Sequence, residues 1–139
     1  MTDNYAWCLN HLNKDKIDII AEIGSRDGLD SIFLNNYFNP SISYVFEADP
    51  SLIYLIEKNL ETNSVDSKYR VFNLALSDEE KTGKFKAVDQ EKYDNHGVGS
   101  FFDINFDNRD TSDDDFQRGS VQKEIDVEIQ RDYNNERFY

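Results

Sequence analysis

Residues 22–28, Glu-Ile-Gly-Ser-Arg-Asp-Gly, follow the apolar run Ile17–Ile23, and a second run, Tyr44-Val45-Phe46, ends on Glu47 nineteen residues beyond Gly28. That layout is a βαβ unit suited to a nucleoside. A strand ending in a glycine turn brings backbone N–H groups at the start of the next helix up to a ligand, and an acid ending the neighbouring strand accepts both hydroxyls of a ribose.

The remaining residues choose among nucleosides. A dinucleotide fingerprint needs Gly-x-Gly-x-x-Gly, but counted from Gly24 the second and third positions are Arg26 and Leu29. No Gly-Lys-Ser/Thr phosphate loop follows. What is left is acid-x-Gly-x-x-x-Gly, with Glu22 beside the turn, where it repels a pyrophosphate and attracts a cation. S-adenosylmethionine has that polarity: its ammonium and sulfonium are positive, and only its small carboxylate needs N–H donors.

Three segments, Ile20–Gly28, Val45-Phe46-Glu47-Ala48-Asp49-Pro50 and Val71–Asp78, carry a likeness to a known family. The chain resembles the N-terminal half of the FkbM-type S-adenosylmethionine-dependent methyltransferases, most distinctively in Phe-Glu-x-x-Pro and in Ala-Leu-Ser-Asp. The resemblance implies a Rossmann-like fold of the class I methyltransferase type and S-adenosyl-L-methionine as cofactor. It also implies O-methylation of a hydroxyl on a sugar or small molecule. The candidate cofactor-binding residues are Glu22, Gly24, Ser25, Asp27, Gly28, Glu47, Ala48, Asn73 and Ala75.

Composition sets bounds on this reading. A chain of 139 residues is one domain, yet short for a methyltransferase sheet of about seven strands with their helices. Ten Phe and eight Tyr supply enough apolar bulk for a folded core. The net charge of −13 disfavours nucleic acid and anionic membrane as partners, because no basic stripe is present to displace counterions from phosphates. One cysteine, Cys8, has no partner for an internal disulfide. With no signal-like segment and no apolar run near 18 residues, a cytoplasmic protein is expected.

Along the chain, Asn4–Asn13 has helical spacing, Ile17–Ile23 reads as strand one and Asp27–Phe38 as a helix closed by Pro40. Ser43–Phe46 is strand two, Ser51–Asn63 a helix capped by Asp49 or Ser51, and Tyr69–Leu76 strand three. Alternation of this kind predicts a doubly wound α/β domain with a parallel sheet and right-handed crossovers. Lys84–Val88 and Val121–Gln130 have the period of two expected of antiparallel strands. Asp89–Ser120, between them, reads as a long acidic loop with one short strand near Gly99–Ile104.

In the family, the strand matched by Ile125–Gln130 leads to a fourth parallel strand and a Lys-Ile-Asp-x-Glu-Gly motif. Neither is found before Tyr139. The expectation is an incomplete domain whose strand-one edge is met by a homo-oligomer, by a complementing C-terminal polypeptide, or by Val121–Gln130 folding back. A truncated, non-catalytic nucleoside-binding or interaction module is the alternative function.

Each candidate also has a plainer reading. Gly24 and Gly28 serve any tight strand-to-helix turn, Asp27 suits a helix cap as well as a cofactor contact, and Ala75 suits a core as well as an adenine edge. Ser77 and Asp78 read as a turn. His96, beside Gly97 and Gly99, is a candidate base and His11, on the N-terminal helix, a lesser one; a loop histidine is more often simply solvated, so the catalytic residues stay unassigned. Asp103, Asn105, Asp107 and Asp114 have calcium-loop spacing, but Asn108 replaces the required glycine and no helices flank them, so no metal is expected.

Overall fold

The computed structural model describes residues 9–63, 68–89, 99–102 and 122–131. Residues 9–11 are helical, and a short 3₁₀ turn, Lys14–Lys16, leads into strand β1, Ile19–Ile23. Helix α1, Leu29–Phe38, strand β2, Ile42–Phe46, helix α2, Pro50–Asn63, and strand β3, Tyr69–Phe72, follow. Three further strands are β4, Ala75–Ser77, β5, Lys81–Val88, and β6, Gln122–Arg131. The architecture is α/β: a parallel sheet in the order β1-β2-β3, and a second, mixed sheet in the order β4-β6-β5.

Local chemistry sets the helix ends. Asp49 Oδ1 accepts the Ser51 N–H at 2.9 Å and the Ser51 hydroxyl at 2.7 Å, capping α2, while Pro50 sits in the first turn, where its missing N–H costs nothing. Helix α1 closes on Asn39 in the left-handed region, φ 52°, whose N–H returns to the Asn35 carbonyl.

Side chains alternate along β1: Ile20 is buried, whereas Ile19 and Ile23 are 58% and 66% exposed. Both helices pack on the face that carries Val45 and Val71, where Ile32, Ile53, Ile56 and Leu60 complete the core. Leu9 joins Ile20 and Phe38 in a flanking cluster. The opposite face is aromatic, with Phe46 stacked on Phe72 at 5.1 Å and Tyr44 6.2 Å from Phe72. No described helix covers it, so among the described residues the sheet is wound on one side rather than two.

Two expectations are corrected. Strand three does not run from Tyr69 to Leu76. It breaks after Phe72, because Phe72 O receives the Glu47 N–H at 3.0 Å where β2 ends, and beyond that point the ladder has no partner. The chain resumes as β4, which finds one in β6: Ala75 pairs in parallel with Ile129. Nor does the segment around Val121–Gln130 fold back onto strand one. As β6 it pairs antiparallel with β5, burying Val127 and Ile129 against Phe85, Ala87 and Ala75. Among the described residues β1 pairs only with β2.

Candidate functional site

The turn after β1 is wound tightly on itself. Gly24 and Gly28 both take φ 77°, and Arg26 adopts the left-handed conformation at φ 60°, uncommon for a residue with a Cβ. Every amide from residue 24 to 29 donates within the chain. Gly24 N–H and Ser25 N–H reach the Phe46 carbonyl at 2.9 and 3.1 Å, and Asp27 N–H and Gly28 N–H reach the Ser25 carbonyl at 2.6 and 3.3 Å. Arg26 N–H goes to Glu47 Oε2 at 2.8 Å, and Leu29 N–H to Asp27 Oδ1 at 3.1 Å. From residue 24 to residue 29 the turn thus keeps its amides for itself and for strand β2. Strand β2 and its terminal acid take three of them, and the turn's own Ser25 and Asp27 take the other three.

Glu47 is 6% exposed, and both its oxygens are engaged: Oε2 by Arg26 and Oε1 by the Asp49 N–H at 2.8 Å. A carboxyl group held by two backbone donors is fixed in place, with a lone pair left on each oxygen. Asn73 braces it from behind, its side-chain amide donating to the carbonyls of Glu47 at 2.9 Å and Ala48 at 3.2 Å.

A cleft of about 230 Å³ opens at this end of the sheet. Gly24 and Arg26 line it at the β1 turn, Glu47, Ala48, Asp49 and Leu52 at the β2 end, and Leu74, Ala75 and Leu76 beyond β3. Phe85, Gly99 and Phe101 form its far wall. That wall is fastened by two hydrogen bonds between Lys86 and Ser100, at 2.8 and 3.1 Å, and Phe101 meets Phe85 edge-on at 5.2 Å. Gly99 permits it, since a Cβ there would lie 2.9 Å from the Phe85 ring. Across the sheet the lining runs from a cation, through carboxylates, to an apolar aromatic end.

Of the sequence candidates, Gly24, Glu47, Ala48 and Ala75 line the cleft; Glu22, Ser25, Asp27, Gly28 and Asn73 do not. Those five have structural contacts of their own. Glu22 accepts the hydroxyls of Ser25, at 3.1 Å, and of buried Ser31. Burial raises its carboxyl above the ordinary value, outweighing those two hydroxyls. Asp27 accepts the amide of Leu29, the first residue of α1, and pairs with the Arg26 guanidinium at 2.8 Å. Gly28 lets α1 approach α2, where a Cβ would lie 3.3 Å from Ile56. Ser77 and Asp78 form the expected turn, joined at 3.0 Å. Leu52, Leu76, Phe85 and Phe101 carried no sequence signal for a site; only the topology brings them to the cleft. Cys8, His96 and the calcium-like segment lie outside the described residues, among which no cluster of His, Cys, Asp or Glu is placed to hold a metal. No described helix is long and apolar enough to cross a membrane.

No protein-family model, curated protein or solved structure matches the chain.

Proposed function

We propose that the cleft is the nucleoside site of a Rossmann-like domain that binds S-adenosylmethionine and takes part in methyl transfer to a hydroxyl of a sugar or small molecule. The observation that carries the reading is Glu47: a buried carboxylate at the end of the second parallel strand, fixed by the N–H groups of Arg26 and Asp49 and facing the cleft. Its remaining lone pairs suit two vicinal hydroxyls. Leu74, Ala75 and Leu76 on one side and Phe101 on the other suit a flat base. At about 230 Å³ the space suits a nucleoside better than a dinucleotide, since small-molecule sites commonly begin near 300 Å³.

The fit of the residues present extends to the sulfur end. Gly24 lines the cleft, and a Cβ there would meet nothing within 4 Å. When bound, the cofactor supplies a sulfonium methyl group open to in-line attack by an acceptor oxygen. The chain's part is to orient and to exclude water: Glu47 holds the ribose, and Ile23, Leu52 and Phe85 keep the surroundings apolar.

A second reading, a nucleoside-binding module without catalysis, is favoured by one feature. Among the described residues the cleft's carboxylates are Glu47 and Asp49, and both already accept backbone N–H groups, so neither is placed as a general base. Calorimetric titration with S-adenosylhomocysteine tests the shared part. Saturable binding at one site is expected, and absence of binding would overturn both readings. Transfer of a labelled methyl group to hydroxylated acceptors separates them.

A further inference from the structure

In a nucleotide-binding turn the anionic part of the ligand normally rests on backbone amides. Here the amides of residues 24–29 all donate within the chain. An anionic group entering the cleft also meets two carboxylates, Glu47 and Asp49, in a protein of net charge −13. Without a cation it would be repelled. Among the described residues that line the cleft, Arg26 alone is basic.

Resting on the nucleoside reading above, we infer that Arg26 binds the carboxylate of the ligand's amino-acid tail and so selects S-adenosyl amino acids over untailed nucleosides. Three features carry this. Arg26 sits on the β1 turn, on the far side of Glu47 from the aromatic wall, so cation, acid and base platform follow the order carboxylate, ribose, purine. Its left-handed backbone, held by the bond from its N–H to Glu47, carries the side chain out of the turn at the cleft rim, where half of it is exposed. Asp27 engages Nε at 3.1 Å and Nη2 at 2.8 Å, which orients the guanidinium and leaves Nη1 for another acceptor.

The test is titration of the full chain, unaltered and as Arg26→Gln and Arg26→Lys, with three probes: S-adenosylhomocysteine, 5′-methylthioadenosine, which lacks the amino-acid tail, and adenosine 5′-monophosphate. In Arg26→Gln, affinity for S-adenosylhomocysteine should fall about tenfold or more while that for methylthioadenosine is unchanged, as expected for one lost charge-assisted contact. Arg26→Lys should fall between. Equal weakening of both ligands would make Arg26 a residue that only shapes the turn, and overturn the inference. So would an Arg26→Gln protein that binds S-adenosylhomocysteine as the unaltered chain does. Tighter binding of the monophosphate than of S-adenosylhomocysteine, lost in Arg26→Gln, would assign the residue to a phosphate instead. If the unaltered chain binds none of the three, the nucleoside reading fails and takes the inference with it.

Discussion

The backbone N–H of Arg26 donates to Glu47 Oε2 at 2.8 Å, tying the left-handed residue of the first turn to the acid that ends the neighbouring strand. The turn and the acid are one mechanical unit. Loss of the acid's side chain is felt by the turn.

Glu47→Ala should therefore act twice. Losing the charge-assisted bonds to a ribose should weaken S-adenosylhomocysteine about tenfold to a hundredfold, and leaving the amides of Arg26 and Asp49 without an acceptor should lower stability by about 1–3 kcal/mol. Calorimetry below the melting transition reads the first effect and a thermal melt the second. Unchanged affinity in the folded variant would remove Glu47 from the ribose.

The two glycines of the turn should separate. Gly24 has φ 77° and open cleft beside it, so Gly24→Val should abolish binding and cost about 1–2 kcal/mol of backbone strain. Gly28 shares the φ but faces Ile56, so Gly28→Ala should lower the melting temperature while the folded fraction keeps its affinity. Equal loss of binding in the two would contradict the placement of Gly28 outside the cleft.

Phe101 is 39% exposed and presents its ring to the cleft wall. If the base stacks there, Phe101→Ala should weaken the nucleoside by about 1–3 kcal/mol, and Phe101→Tyr should restore most of it. The loss of ultraviolet absorbance that accompanies base stacking should vanish in the alanine variant alone.

Glu22 supplies a pH test. Its carboxyl is held above the ordinary value of 4.5 by burial, so the folded state binds the proton more tightly than the unfolded chain does. That stabilising contribution is complete below 4.5 and is lost as pH rises through the raised value. Glu22→Gln keeps an oxygen for the Ser25 and Ser31 hydroxyls without the charge. Its melting temperature at pH 7 should equal or exceed that of the parent, and the gap should close on acidification. A variant less stable at pH 7 than at pH 4, relative to the parent, would contradict the sign.

Among the described residues the outer edge of β1 is unpaired, and the strand is apolar, with Ile19 58% exposed. Such edges invite strand addition, and the net charge of −13 opposes it. Light scattering should show association that strengthens with added salt, as screening reduces the repulsion. Ile19→Lys should keep the chain monomeric. A monomer at all salt concentrations in the parent would mean that the edge is not available.

Much of the parallel half was legible because its signals are local: the apolar spacing of Leu52, Ile56 and Leu60, the Asp49 cap, and the acid closing the second strand. The break at Asn73 was not. Val71-Phe72 and Leu74-Ala75-Leu76 read as one run, and only the Asn73 bonds to the end of β2 and a strand partner some fifty residues on divide it. Likewise, glycine spacing predicted a tight turn, yet the acceptors that take its first three amides, Phe46 O and Glu47, belong to another strand and could not be read from the spacing. Arg26 looked like a departure from a motif until the turn's geometry gave it a place in the cleft.

The pairing of Ala75 with Ile129 also bears on how the site comes into being during synthesis. Strands β1, β2 and β3 close over short separations, so Glu47 and its two amides can assemble once residue 72 has left the ribosome. The sheet that backs Phe85 and Ala75 must wait for residues 122–131. A nascent chain therefore passes through a stage in which Glu47 is in place but the second sheet behind Ala75 and Phe85 is not, and a ligand that needed both would shift the balance only toward the finished fold.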